Sequence, residues 1–553
     1  MVRARQYVVF FFLMALFSLL FVRLLWLQVF NWQRFSEIAK GQHNTAFMLE
    51  PRRGTIFDKY MEPLAVNLDA QSVFCDPRGI KDRDNVVRKL SEALDIKEED
   101  LSEKIRQDKG FVWIKRKIDD ETAKKIKDMN LEGVFLKPES KRKYPNDNMA
   151  AHVIGFAGLD NNGLEGLEMA FNKELAGTPG WRSITRDAKR RTVLFNEKDS
   201  IPAQNGYNLV LTIDSVIQYI VEEEIRDMVE KFHASGAMVV VMEPFSGRVL
   251  AMANYPDYNL NEAFRAPRLA MKNSAVADVY EPGSVFKIVA ASAALNEGVY
   301  ALEDEIYCEN GEYGVGGRIL HDFHPYGKLS FQDVIARSSN IGTVKIAQAL
   351  GKKKIYEYIK SFGFGKRTGI DVPGEVSGIS RPPGTWSGSD ISTIPIGQGI
   401  AVTTIQLASA INVIANGGEF VKPYVVGRIT TWEGVVHKEF QPPLKRRVLD
   451  KETCEKMKKV LRRVVTDGTG RQAGSKLYDA CGKTGTAQMV NPSGGYYANK
   501  YYATFIGFAP MDQPLVSIVV TARDPQPVHF GGTVAAPAFR RIAERTLQYM
   551  TSN

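Results

Sequence analysis

Glu281-Pro282-Gly283-Ser284-Val285-Phe286-Lys287 sets a serine and a lysine three residues apart, where a Pro-Gly turn gives way to an apolar helix. Positions i and i+3 share a helix face about one turn apart, so the Lys287 amine is within reach of the Ser284 hydroxyl. Serine is a weak nucleophile until a neighbouring base takes its proton, and a lysine serves as that base when burial or a second cation lowers its pKa. The unpaired N–H groups and positive dipole end of a helix start also favour the oxyanion that forms during acyl transfer. Read alone, S-x-x-K is equally a helix start with a serine cap, a pattern that chance supplies in a chain of 553 residues.

Two later stretches supply what a serine–lysine pair still lacks: Ser338-Ser339-Asn340 and Lys483-Thr484-Gly485-Thr486. In order and in residue type, the three boxes resemble the S-x-x-K, S-x-N and K-T-G set of the penicillin-binding proteins and class A β-lactamases. Ser339 stands where the middle box is often written with aspartate, but the outer two residues of that box carry the chemistry. The set points to a serine acyltransferase.

Working outward, the chain is too long for one core, which suggests two or three domains. With 44% hydrophobic and 24% charged residues it has a globular composition. The net charge of +9 is spread among nearly as many acids, which fits a mild preference for anionic membranes or wall polymers and argues against nucleic acid. Residues 1–6 are short and basic, and residues 7–30 are apolar except for Ser18, Arg23 and Gln28, long enough to span a bilayer if Arg23 snorkels. Between residues 22 and 40 there is no small-x-small cleavage site, so the segment reads as an uncleaved anchor with a cytoplasmic N-terminus.

After the anchor, residues 31–205 show no single period and read as short strands mixed with charged helices, residues 84–127 being the most charged. The composition shifts at residues 206–214, a β-rich run that ends on Asp214 as the N-cap of a helix. Residues 237–242 and 248–253 read as a hairpin around Pro244-Phe245-Ser246-Gly247, and the Ser284 helix runs to about Asn296 before Gly298 stops it. Residues 502–508 and 515–522 are apolar strands, and residues 535–550 form a closing helix. Strands at both ends of this region with helices between them predict one antiparallel sheet flanked by helices.

Other patterns carry less. Gly482-Lys483-Thr484 imitates the tail of a P-loop, but that motif needs glycine where Leu477 stands. Gly468-Thr469-Gly470-Arg471-Gln472-Ala473 fits a dinucleotide fingerprint but follows a basic helix, so it reads as a loop. His321-Asp322-Phe323-His324 offers two histidines without a third ligand and reads as loop; no metal or cofactor is expected. Cys75, Cys308, Cys454 and Cys481 are too few and too scattered for a disulfide framework, and free thiols are expected.

With these pieces placed, the chain resembles the class B penicillin-binding proteins, and among them the cell-division (septal) transpeptidases. Beyond the three boxes, the resemblance rests on Arg53-Gly54-Thr55-Ile56-Phe57-Asp58 with Leu64-Ala65, Arg142-Lys143-Tyr144-Pro145, Gly163-Leu164-Glu165-Gly166-Leu167-Glu168 and Gly180-Trp181-Arg182-Ser183-Ile184-Thr185-Arg186-Asp187. Where the family continues Arg-Asn-Gly after that first aspartate, this chain has Lys59-Tyr60-Met61, so a different turn is expected. The septal reading draws on Tyr280-Glu281-Pro282-Gly283-Ser284, Gly397-Gln398-Gly399, Thr403 and Gln406.

The resemblance implies an α+β multidomain protein: a penicillin-recognising serine transpeptidase fold, an N-terminal pedestal of the class B dimerisation type and one transmembrane helix. The divisions expected are a cytoplasmic tail at 1–6, an anchor at 7–30, a pedestal at 31–205 and the transpeptidase domain at 206–553. The catalytic part is expected outside the bacterial inner membrane, in the periplasm. By resemblance Ser284 attacks the penultimate D-alanine carbonyl of a peptidoglycan stem peptide and a neighbouring stem amine resolves the acyl-enzyme into a cross-link. Lys287 is implied as base, Ser338 as proton relay and Asn340 as orienting group. Lys483, Thr484, Gly485 and Thr486 are the implied substrate-binding strand, the first two holding the terminal carboxylate and the N–H groups of Ser284 and Thr486 forming the oxyanion hole. Expected partners are stem peptides, β-lactams, other division proteins and a polytopic glycan polymerase of the shape, elongation, division and sporulation (SEDS) class, contacted by the anchor and by residues 53–58. Elongation and sporulation transpeptidases, a carboxypeptidase, a β-lactamase or β-lactam sensor and a non-catalytic division scaffold are the alternatives.

Overall fold

The computed structural model describes residues 2–34, 44–186, 192–440 and 445–552. Asp187 of the Gly180 box, and residues 35–40 of the stretch searched for a cleavage site, lie outside them. The chain divides into two compact units, Met1–Arg52 with Ala176–Gly206, and Arg53–Leu175 with Tyr207–Asn553.

In the first unit, α1 (Val2–Leu25) continues through a π-helical turn at Trp26–Phe30. Its apolar residues are exposed along their length, and Arg3–Phe30 is, among the described residues, the one helix long and apolar enough to cross a membrane. At ~1.5 Å per residue such a helix exceeds the ~30 Å hydrocarbon core. The Arg23 guanidinium lies 5.0 Å from the centre of the Trp26 ring, a cation–aromatic pair suited to an interface. The unit also holds a three-stranded antiparallel sheet of Asn44–Leu49, Gly180–Arg186 and Thr192–Ile201.

The second unit begins with a smaller α+β layer. The long strand β1 (Pro63–Cys75) pairs antiparallel with β2 (Val112–Ile118) and with β3 (Val134–Lys143). Val73, Cys75, Ile114 and Ile118 pack from one sheet face against α2 (Arg83–Leu94), α3 (Glu98–Ile105) and α4 (Asp120–Asp128), which contribute Leu90, Leu101 and Ile126. The charged stretch 84–127 folds only in part as expected: its helices carry one apolar stripe and a solvated face, but residues 112–118 within it form strand β2.

The sequence boxes of this layer converge on a buried ion cluster. Arg53 Nε donates to Glu168 Oε2 at 2.6 Å and Arg142 Nε to Glu168 Oε1 at 2.6 Å, while the Tyr144 hydroxyl donates to Oε1 at 3.2 Å. Burial alone would raise the Glu168 pKa, but the two guanidiniums hold the carboxyl below its usual value. Arg53 is 1% exposed and Asp58 0%, so these two side chains brace the fold from inside. Reversing the Arg53 charge would strand Glu168 beside a second carboxylate and cost about 3–5 kcal/mol of stability.

Asp58 closes the turn that departs from the family pattern. Its Oδ1 accepts from Tyr60 N at 2.8 Å and Glu62 N at 2.9 Å, and Oδ2 accepts from the Ser215 hydroxyl at 2.8 Å. With no glycine in this turn, Met61 itself adopts φ 71°, a left-handed conformation that disfavours a Cβ. Met61→Gly should therefore raise thermal stability by about 1 kcal/mol, read as a higher Tm; an unchanged or lower Tm would show that the methionine contacts outweigh the strain.

The larger layer is a five-stranded antiparallel sheet. β4 (Gly236–Met242) and β5 (Val249–Tyr255) form the expected hairpin, and β6 (Cys481–Val490), β7 (Tyr496–Ala509) and β8 (Val516–Arg523) complete the order β5-β4-β8-β7-β6. Every residue of β4 is buried, because helices cover both faces. On one face lie α5 (Ser215–Phe232), whose N-terminus Asp214 caps by accepting from Val216 N and Ile217 N, and, after α6 to α9, the closing helix α10 (Gly531–Ser552). Against the other face packs α8 (Thr404–Ala415), with α9 (Lys451–Thr466) against β6, while α6 (Lys287–Asn296) and α7 (Asn340–Ser361) pack on each other within the same apolar core. Thr403 and Gln406 form a reciprocal capping box at the start of α8.

Candidate active site

Ser284 sits in a 3₁₀ turn, Gly283–Phe286, that leads directly into α6. Gly283 starts the turn at φ 57°, and a Cβ there would meet the Thr486 carbonyl oxygen at 2.9 Å. Opposite, a Cβ on Gly485 would lie 2.8 Å from Val285 Cγ1 and 3.0 Å from the Pro282 carbonyl. Glycine at these two positions lets the edge strand β6 lie directly against the serine turn. Residues 287–295 of α6 are all buried, and apolar side chains such as Ile288, Val289 and Leu295 contribute about 1.5–3 kcal/mol each. Lys287, the first residue of that helix, is thereby fixed in a rigid core.

The three boxes meet at the lysine amines. Lys287 Nζ lies 2.6 Å from the Ser338 carbonyl, 3.1 Å from Ser338 Oγ and 2.8 Å from Asn340 Oδ1. Lys483 Nζ, from β6, lies 3.0 Å from the same Ser338 Oγ and 3.1 Å from the Thr484 carbonyl. Both lysines are 0% exposed. One hydroxyl that accepts from both amines uses its two lone pairs, which leaves its proton free to point into the cleft.

Burial pushes the Lys287 pKa down from 10.5 to about 7, with the Asp322 carboxylate opposing the shift. Burial also lowers Lys483 strongly, and the neighbouring Lys287 charge adds to the effect. Two ammonium groups on one buried hydroxyl repel each other, so the site favours loss of a proton from one of them. A neutral Lys287 has two hydrogens for its three oxygen neighbours and one lone pair, which is the state a base requires.

Thr484 and Thr486 are held from outside the strand. Thr484 Oγ1 lies 2.6 Å from Thr469 Oγ1, and Thr486 Oγ1 accepts from Gly531 N at 3.1 Å. Ser338 occupies φ 60°, a strained conformation for a residue with a Cβ, and the surrounding bonds keep its hydroxyl between the two amines. Cys481 is buried on β6 and its thiol points to the Lys458 carbonyl at 3.3 Å. All four cysteines are free and buried.

Sequence reasoning missed three supports of this site. Asp322, dismissed with the His321 loop, accepts from the Ser339 hydroxyl at 2.6 Å, from Ile341 N at 3.1 Å and from Asn340 N, and so caps α7 at the S-x-N box. Glu281 accepts from Gly399 N at 2.7 Å and from the Tyr496 hydroxyl at 3.0 Å, tying the start of β7 to the serine turn. Thr469, in the loop resembling a dinucleotide fingerprint, is the partner of Thr484. Each contact joins residues far apart in sequence, and only the His-Asp-Phe-His and Gly-Gln-Gly stretches hinted at it.

Asp322→Asn keeps one oxygen for the backbone donors but loses the charge. A charged hydrogen bond of this kind contributes about 1.5–3 kcal/mol, so acylation should slow about tenfold. Because Asp322 raises the Lys287 pKa, its removal should also move the pH midpoint of acylation downward. A variant with unchanged rate and midpoint would show that the carboxylate only caps the helix.

Residues 237–544 match the penicillin binding protein transpeptidase domain and residues 48–211 the penicillin-binding protein dimerisation domain. The chain is 35% identical over 557 residues to the stage V sporulation protein D of Bacillus subtilis, covering 99% of this chain and 86% of that protein. It is 32% identical over 538 residues to the peptidoglycan D,D-transpeptidase FtsI of Escherichia coli K12, covering 96% and 89%. In structure it resembles penicillin binding protein 3 of Mycobacterium tuberculosis complexed with aztreonam, with a TM-score of 0.73 at 29% identity over 91% of this chain and 97% of that one. The chain belongs to the class B penicillin-binding proteins, a family of serine-type peptidoglycan D,D-transpeptidases.

Proposed function

We propose that Ser284 is the nucleophile of this transpeptidase and that Lys287 takes its proton. The observation that carries this reading is the pair of buried amines bonded to one hydroxyl, Ser338 Oγ. Ser284 attacks the penultimate D-alanine carbonyl; as the C–N bond breaks, the proton passes from Lys287 through Ser338 to the departing D-alanine amine. The amine of a neighbouring stem then attacks the ester, and Ser284 regains its proton by the same route. Asn340 orients Lys287 and the substrate amide. Lys483, restored to its charged form by the donor's carboxylate, holds that carboxylate with Thr484, and the N–H groups of Ser284 and Thr486 bind the oxyanion. A β-lactam presents a strained amide and a carboxylate in the same places and acylates the same serine.

The exposed apolar helix at residues 3–30 supports a single-pass anchor, with the N-terminus in the cytoplasm and the catalytic part in the periplasm. The domain divisions of this reading are 7–30, 31–205 and 206–553. The cell-division relative matched over 96% of the chain, and the Tyr280 to Ser284 stretch, favour a septal role. The sporulation relative at 35% identity favours a second reading, cross-linking during spore formation. Depletion in growing cells separates them: filaments that fail to divide are expected, whereas normal division with failed spores would establish the second role. The matched family domains are a transpeptidase and a dimerisation domain, so a SEDS-class polymerase is the proposed source of strands, met through the anchor. Replacing residues 1–30 with an unrelated membrane helix should break their co-purification; intact co-purification would remove the anchor from that interface.

A further inference from the structure

The sheet formed by β2, β1 and β3 buries one face against α2 to α4; the other face is exposed at its Phe74 end and buried further along at Ala70, Ser72 and Glu139. At the exposed end the register places Trp113, Phe74 and Phe135 directly side by side across the strands. Phe111, in the turn before β2, stacks on Phe74 at 4.7 Å between ring centres, and Phe135 stacks on its other side at 5.3 Å. Phe111 is 45% exposed and Phe135 49%, an aromatic surface that the fold itself does not use.

The same face turns cationic along β3. Alternate positions after Phe135 are Lys137, Glu139, Lys141 and Lys143, three lysines against one acid, whereas Arg142 is buried at Glu168 and the Lys115 amine donates to the Leu94 carbonyl. That acid, Glu139, is taken up by Arg116 at 2.6 Å. Lys137 Nζ and the Arg116 guanidinium lie 5.9 and 5.1 Å from the centre of the Trp113 ring, so the charge runs up to the aromatic row. From Phe135 to Lys143 the strand advances about 26 Å at ~3.3 Å per residue.

We propose that this face is a binding site for an acidic polysaccharide, the un-cross-linked glycan strand whose stem peptides the enzyme joins. The apolar C–H faces of sugar rings suit flat, half-exposed aromatic rings, and the stem carboxylates meet the lysine row. A linear polymer fits a site that is long and one strand wide. A bilayer fits it less well, because three of the four rings lie within strands instead of protruding from loop tips. The polymer's identity rests on the peptidoglycan transpeptidase assignment; the site does not involve the catalytic cleft.

The test uses the full-length protein in detergent micelles, with soluble un-cross-linked glycan strands bearing stem peptides as the probe and β-lactam acylation measured on the same samples. Phe135→Ser combined with Lys137→Glu, both at exposed or half-exposed positions, should weaken strand binding about tenfold and leave the acylation rate unchanged. Lys141→Glu, further along the row, should weaken binding by a smaller factor, and added salt should weaken the wild type. Binding within about twofold of wild type in both variants would overturn the proposal. So would wild-type protein that ignores the strands but binds vesicles of anionic phospholipid, or a protein partner, through these residues. Failure of the wild type to be acylated would instead fault the catalytic reading.

Discussion

Ser284→Ala should give a folded protein that no β-lactam labels. The change removes one oxygen from a half-buried side chain and disturbs none of the bonds around Lys287, Ser338 and Lys483. Its effect on stability should therefore stay within about 1 kcal/mol, measured as Tm. Its effect on acylation is all or none, because the ester has no other oxygen in that place to form on. The Ser338 hydroxyl is no substitute, since it is held between the Lys287 and Lys483 amines at 3.1 and 3.0 Å and its residue is fixed at φ 60°. Labelling by a fluorescent penicillin that survives the exchange would move the nucleophile elsewhere.

Lys287→Ala should slow acylation by a factor of about 10²–10⁴, the range that general-base catalysis contributes. In the wild type the rate should climb as pH rises through about 7 and level off above it, because only the neutral amine accepts the serine proton. The same shift has a consequence for stability. With a folded pKa of about 7 against 10.5 when unfolded, the unfolded chain binds the extra proton between those values. Stability therefore rises with pH across that window, and the burial of Lys287 weighs most heavily below it. The stability difference between wild type and Lys287→Met should accordingly shift toward the variant as pH falls from 10.5 to 7. A rate profile flat from pH 5 to 9 would contradict a titrating base, those limits being about two units either side of the amine.

The catalytic boxes were legible because their chemistry is carried by residue type and order. The sheet was legible because its strands are apolar on both faces, and because Asp214 and Gly298 mark helix ends in the sequence itself. The residues that proved opaque act across long separations. Asp322 reaches the S-x-N box from a hairpin 17 residues earlier, and nothing local distinguishes its carboxylate from that of a loop. Arg53, Arg142 and Glu168 were visible as boxes, but only packing shows that they form one buried cluster. The Lys59-Tyr60-Met61 departure was visible in the sequence, but only the structure shows that the Asp58 hydrogen bonds close the turn with Met61 in a strained, left-handed conformation.

The most direct test of the account is the position of the acyl group. Wild-type protein saturated with a labelled penicillin, digested and mapped by mass spectrometry, should carry one adduct per chain, on Ser284 within the Glu281–Lys287 stretch. An adduct on any other residue, Ser338 included, or a protein that hydrolyses the drug without accumulating an adduct, would contradict it.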